Sequence, residues 1–146
     1  MKIYQHILLT TDLSDQSYSL GQKAKSIAKQ FNAKLSIVHV IEKIPPIYGS
    51  GEFNFLIDIE PFEKEEQQAK VQLSVEAKKL DIMDNDQWLI SGSKIEEITV
   101  LAKKIQVDLI VVGAHDKHGL SLLFGSTADS ILHALPCDIL SIRVED

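Results

Sequence analysis

Asp108-Leu-Ile-Val-Val-Gly-Ala-His115, a loop, and then Gly125-Ser126-Thr127 at the head of a helical pattern form the stretch on which the fold turns. The apolar run from Val107 to Gly113 predicts a strand covered on both faces, since such a strand needs no polar alternation. The chain then returns as Gly-Ser-Thr, where a helix from Ser126 to Leu135 is expected to begin, closed by Pro136. A helix N-terminus carries unpaired N–H groups and a partial positive charge, so it suits a phosphate. A strand, a glycine turn and an anion-competent helix start are the parts of a nucleotide site in an open α/β sheet. The same Gly-Ser-Thr also reads as an ordinary helix cap, and on these residues alone both readings stay open.

Working outward, the chain alternates between two periods. Ile3 to Thr10 is short and apolar and runs into the polar turn Thr11-Asp12-Leu13-Ser14, a strand followed by a choice of helix caps. From Gln16 to Phe31, Leu20, Ala24, Ile27, Ala28 and Phe31 recur at helical spacing. Lys34 to Ile41 is a β-branched strand. The piece with Pro45, Pro46, Gly49 and Gly51 is irregular, and Phe53 to Ile59, apolar and acidic, fits no single period. Pro61 to Leu80 reads as a long polar helix with Phe62, Ala69, Leu73, Ala77 and Leu80 as its buried stripe. Asp86 to Ile90 is a short strand that Ser91-Gly92 is expected to end. Ser93-Lys-Ile-Glu96 has the capping-box form before a helix with Ile98, Leu101, Ala102 and Ile105. Asp138 to Val144 is the fifth strand. This β-α-β-α-β-α-β-α-β order implies a doubly wound parallel sheet, with helices on both faces. No linker or repeat divides residues 1–146, so a single domain is expected.

Composition narrows the function. The 146 residues are 45% hydrophobic with a formal net charge of -6, enough for one core. The negative sign disfavours nucleic acid and anionic membrane surfaces as partners. Cys137 is the only cysteine, so an internal disulfide is excluded and a reducing compartment is the natural setting. No segment approaches the roughly 20 apolar residues of a membrane span, and the N-terminus lacks a signal-peptide pattern. A cytoplasmic location is expected.

In a doubly wound sheet, ligands bind beyond the carboxyl ends of the strands where strand order reverses. The segments expected to meet there carry Thr10, Thr11 and Asp12, then Val40, then Val112, Gly113, His115, Gly125, Ser126 and Thr127. Asp12 would accept from a ribose hydroxyl or hold magnesium through water. Val40 would meet a flat base, and Gly125, Ser126 and Thr127 would donate to phosphates. Asp12 also reads as a plain turn residue.

These residues, in this order, resemble the universal stress protein family over nearly the whole chain. The resemblance rests on Ile7-Leu-Leu-Thr-Thr-Asp12-Leu-Ser14, Ala33-Lys-Leu-Ser-Ile-Val-His39-Val40, Ser91-Gly92-Ser93, Asp108-Leu-Ile-Val-Val-Gly113 and Leu135-Pro-Cys137-Asp-Ile-Leu140. It implies a five-stranded, Rossmann-like sheet of the adenine nucleotide alpha hydrolase type, ordered 3-2-1-4-5. It also implies a homodimer formed through the C-terminal strand, and either of two branches, one of which binds ATP. The ATP-binding branch carries Gly-x2-Gly-x9-Gly-(Ser/Thr). Gly113 and Gly125-Ser126 fit its ends, but Asp116 stands at the middle glycine and eight residues, 117 to 124, replace nine. A carboxylate there would face a phosphate with like charge.

The remaining signals point away from chemistry. His115 and His118 lack the further ligands of a metal site, His39 reads as a satisfied near-core histidine, and His6 carries no signal. Cys137 reads as an inert buried thiol. No nucleophile elbow, Walker loop or dinucleotide fingerprint is present. A receiver domain would need a second acid after its third strand, where Ser91 stands. The expected function is a non-catalytic, homodimeric stress-response protein gated by an adenine nucleotide, ATP or AMP with magnesium. The alternative is a nucleotide switch with weak ATP hydrolysis.

Overall fold

Five strands form the sheet, parallel as the alternation implied and in the order β3-β2-β1-β4-β5 that the resemblance implied. They are β1 (His6–Thr10), β2 (Lys34–Glu42), β3 (Gln87–Gly92), β4 (Leu109–His115) and β5 (Asp138–Val144). Helices α1 (Ser17–Phe31), α2 (Glu60–Lys79) and α3 (Lys94–Lys104) connect them. The structure is a computed structural model that describes residues 3–42, 60–115 and 135–144. The expected irregular piece after β2, the Ser126 to Leu135 helix up to residue 134, and Gly125, Ser126 and Thr127 lie outside the described residues.

The helices fall on both faces because the strands alternate their side chains. On one face, Ile7, Leu9, Ile37 and Val111 pack with Leu20 and Ala24 of α1 and Leu73 and Ala77 of α2. On the other, Leu8, Val38, Val40, Ile110 and Val112 pack with Ile98, Leu101 and Ala102 of α3. The expected α2 stripe is therefore buried at Ala69, Leu73, Ala77 and Leu80; the side chain of Phe62 lies outside the described set. Gly21 explains how α1 and α2 approach: a Cβ there would stand 2.6 Å from Leu80 Cδ1. Glycine in a helix interior costs about 0.5–1 kcal/mol against alanine, and at this crossing it makes room for Leu80.

Three boundaries differ from the sequence reading. β1 begins at His6 rather than Ile3, because side chains take over the pairing before it. The Asp108 carboxylate accepts from the backbone N–H of Gln5 (2.8 Å) and His6 (3.0 Å). Tyr4 meets Phe31 edge-on with ring centroids 5.3 Å apart. Asp108 is thus a clamp ahead of β4, which starts at Leu109. β3 is not ended by Ser91-Gly92, since β2 runs on to Glu42 and supplies partners through the pair Glu42 with Gly92. Gly92 adopts φ +151°, a conformation that side chains rarely take, with Glu97 packed over it. Ser93 is the N-cap of α3, as expected, but its side chain makes no capping bond.

His6 and His39 are structural. His6 Nδ1–H donates to the Ile105 carbonyl at 2.9 Å, so Nε2 accepts from the Ser36 hydroxyl at 2.7 Å. Burial pushes its pKa down, which favours the neutral ring with Nε2 as acceptor. His39 Nδ1–H donates to the Thr11 carbonyl at 2.8 Å, which satisfies it as expected.

Candidate functional site at the switch point

Strand order reverses at β1, which has β2 on one side and β4 on the other. A chain that leaves β1 toward β2 and later crosses to β4 parts its connections there, opening a crevice above the strand ends. The cleft found at that place encloses about 80 Å³ and is lined by Thr10, Asp12, Val40, Lys94 and Gly113, with Ser14 and Ser17 beside them. That volume is well below the roughly 300 Å³ of a small-molecule pocket. The described walls therefore leave room for only part of a small molecule.

Each predicted residue has a definite place. Thr10 lines the cleft, with its hydroxyl donating to the Val111 carbonyl at 3.2 Å. Thr11 also lines it, but its hydroxyl points away, into the α2 side. Asp12 is exposed, and its carboxylate accepts from the Ser14 N–H at 2.9 Å. This local turn fixes where the charge sits. Val40 presents an apolar wall. Val112 is buried in the α3-side core, so its backbone rather than its side chain reaches the strand end. For His115, only the backbone at the end of β4 is described.

Gly113 lines the cleft for a reason the phosphate reading did not contain. A Cβ at this position would stand 2.9 Å from Val144 Cγ2 and 3.1 Å from Leu20 Cδ2. The glycine lets α1 and β5 close over β4, and so keeps the cleft's back wall tight.

Two contributors were missed. Lys94, the first residue of α3, lines the cleft and lies 3.9 Å from the Glu42 carboxylate. It brings a positive charge opposite Asp12. The signal was its place directly after the third strand, where the switch-point rule gathers loops. The second is Glu76, a buried carboxyl of α2 under the loop that carries Asp12. Its oxygens stand 3.0 Å from Thr11 Oγ1 and 3.1 Å from Ser17 Oγ. Burial, and next the Asp12 charge, push its pKa up; the two hydroxyls pull the other way.

Among the described residues no group of three or more His, Cys, Asp or Glu is placed to hold a metal ion. Asp12, the carboxylate in the cleft lining, fits magnesium only as an outer ligand to an ion carried by phosphates. Cys137 is half-buried and its thiol is pushed up to about 11 by burial and by Asp138 and Asp108. It stays a thiol at neutral pH, as its inert reading required. No described helix is long and apolar enough to cross a membrane.

Comparison with known proteins adds the lineage. The sequence model of the universal stress protein family matches residues 3–143. Universal stress protein A homolog 1 of Coxiella burnetii is 38% identical over 143 residues, covering 98% of this chain and 99% of that protein. Among solved structures, universal stress protein UspA from Lactobacillus plantarum superposes with a TM-score of 0.72 at 24% identity, over 96% of this chain and 98% of that one. A universal stress protein in complex with cAMP superposes with a TM-score of 0.57 at 23% identity, over 96% and 97% of the two chains. Both structural likenesses bear on the fold.

Proposed function

This chain belongs to the universal stress protein family, and from that premise we propose that it is a non-catalytic, homodimeric stress-response protein of the cytoplasm whose cleft takes an adenine nucleotide. The observation that carries the reading is the placement of Thr10, Asp12, Val40, Lys94 and Gly113 around one crevice at the switch point. Val40 offers an apolar face to a base, Asp12 an acceptor for ribose hydroxyls, and Lys94 a cation for phosphate. A relative of the same fold is in complex with cAMP, which supports an adenine ligand here. Magnesium, when present, would arrive on the phosphates and lower their charge beside Asp12.

Calorimetric titration with ATP, AMP and cAMP, with and without magnesium, tests this. Saturable binding of at least one of them, with no nucleoside diphosphate formed from ATP, is the expected result. Steady ADP formation would move the protein to the hydrolysing switch. No heat with any of the three would end the nucleotide reading.

The dimer reading rests on β5. It is the terminal strand of the sheet, and Ile139, Leu140 and Ile142 are only half-buried. An apolar sheet edge invites pairing, which a two-fold partner satisfies directly. Light scattering on the full chain should give twice the 16.3 kDa chain mass, and Ile142→Lys should shift it toward the monomer. A monomeric mass for the wild type would remove this part of the proposal.

A further inference from the structure

Counting hydrogens around Glu76 leads beyond the ligand itself. Ser17 has one hydroxyl proton, and its Oγ lies 2.6 Å from the Ser14 carbonyl, which can only accept. That proton is committed. Thr11 has one hydroxyl proton, and it is shared between the two Glu76 oxygens, at 3.0 Å each. Ser17 Oγ nevertheless stands 3.1 Å from Glu76 Oε2. With the Ser17 proton drawn to the nearer carbonyl, little of it is left for the carboxylate at 3.1 Å, and a proton on the carboxyl completes the contact with Glu76 as a neutral acid. An ionised Glu76 would ask Ser17 to abandon the Ser14 carbonyl.

The cluster controls the loop between β1 and α1. Thr11 Oγ1 accepts the Leu13 N–H at 3.0 Å. Leu13 has φ 61°, a left-handed conformation that costs a side-chain-bearing residue roughly 1–2 kcal/mol and persists only when its surroundings hold it. Asp12 sits between these two residues and lines the cleft. The chain of contacts therefore runs from the Glu76 carboxyl through the Thr11 hydroxyl and the Leu13 amide to the direction of Asp12.

We propose that Glu76 is a positioning residue for the cleft, whose proton, shared with Ser17, holds the Asp12 loop in its binding geometry and whose loss loosens it. The link to ligand rests on the nucleotide reading above; the link to the loop does not. The groups facing Glu76 are Asp12 on the loop and Lys79 on α2, with Tyr18 of α1 under Lys79 and His39 of β2 bonded to the Thr11 carbonyl. Ligand phosphate adds negative charge on the Asp12 side, so occupancy favours the neutral acid and binding weakens as pH rises through the Glu76 titration.

Carbon-detected NMR titration of the full chain between pH 4 and 8 tests the loop link, and calorimetry over the same range tests the ligand link. The Glu76 carboxyl should titrate above the ordinary glutamate range, with the Leu13 and Ser14 amides moving at the same midpoint. Glu76→Gln replaces the acid by a neutral amide that still donates to Ser17 and accepts from Thr11. It should pin both amides at their low-pH positions and remove the part of the pH dependence that Glu76 supplies, about tenfold in affinity over the range. Every other charged group is common to the two proteins, so the difference isolates Glu76. Amides that ignore the Glu76 midpoint in the wild type, a measurement that needs no variant, would overturn the proposal. So would a nucleotide pH profile identical in E76Q. Loop amides that follow Glu76 in a protein that binds no nucleotide would sustain the positioning role and discard the nucleotide reading alone.

Discussion

Leu9→Ala is expected to lower the free energy of unfolding by about 3–5 kcal/mol, near the upper end of the range for leucine truncation. Leu9 is fully buried and sits on β1, the central strand, paired with Ile37 of β2 and Val111 of β4. Its side chain packs on the face that α1 and α2 cover. The cost of such a deletion depends on how far the surroundings collapse into the space left behind. Here the backbone on either side is fixed by parallel ladders, and Leu20 and Leu73 are held by helices that already pack on each other. Little collapse is available, so the cavity term survives. Since a domain is stable by only about 5–15 kcal/mol, the variant should be close to unfolding at 37 °C. Urea denaturation should show a lower midpoint with an unchanged slope, which is the mark of lost stability rather than an altered unfolded state. Val71→Ala, at a position 64% exposed, should stay within about 0.5 kcal/mol of the wild type. A Leu9→Ala loss no larger than that of Val71→Ala would mean that β1 is not the centre of the core.

The sequence of strands and helices could be anticipated because each step rests on a strong local signal, whereas the spatial order of the strands came from the family resemblance. The run before Gly113 is apolar without alternation, and the strand it forms is buried on both faces, as parallel sheets require. The spacing of Leu20, Ala24 and Ala28 placed α1, and Leu73, Ala77 and Leu80 placed α2. What failed were the ends. Tyr4 and Gln5 look like strand in sequence, yet the Gln5 N–H goes to the Asp108 carboxylate and the Tyr4 ring packs on Phe31, contacts separated by many residues. Gly92 looks like a strand breaker, yet it ends a strand whose neighbour runs to the same level. Periodicity sees neither effect, because both are set by tertiary neighbours.

The site was legible in position and partly illegible in chemistry. Thr10, Asp12, Val40 and Gly113 line one cleft, at the place to which the switch-point rule leads from strand order. Thr11 was expected to face the ligand, and its hydroxyl instead holds Glu76. Glu76 itself passed as one more acid on a polar helix. Its signal was spacing: it falls three residues after Leu73 and four before Leu80, squarely on the apolar stripe. A carboxyl at such a position must find hydrogen-bonding partners or a proton, and the hydroxyls of Thr11 and Ser17 supply the partners. Gly113 carried a different ambiguity, since its missing side chain serves the packing of Leu20 and Val144 whether or not a phosphate ever approaches.

Reversing the charge of Lys94 is expected to weaken adenine nucleotide binding by about 10–100-fold, or roughly 1.4–2.8 kcal/mol. The chain carries a formal net charge of -6 and puts the Asp12 carboxylate in the cleft, so its own field opposes a phosphate. Lys94 is the basic side chain among the described lining residues. Its side chain is 28% exposed, and its contact with Glu42 at 3.9 Å is at the limit of an ion pair, which leaves most of its charge available to a ligand. A unit charge about 6 Å from a phosphate, at an effective dielectric near 20, contributes close to 3 kcal/mol before screening. Salt and partial exposure reduce that, and reversal to glutamate replaces attraction with repulsion, which restores part of it. Lys103→Glu changes the protein's net charge identically. It lies nine residues along α3, about 13 Å away at the helical rise and beyond the screening length of about 8 Å at physiological salt. Calorimetry should therefore show a large loss for Lys94→Glu, a loss below about threefold for Lys103→Glu, and a wild-type affinity that falls with added salt more steeply than that of Lys94→Glu. Equal losses in the two variants would mean that only net charge matters, and that no phosphate sits beside the N-terminus of α3.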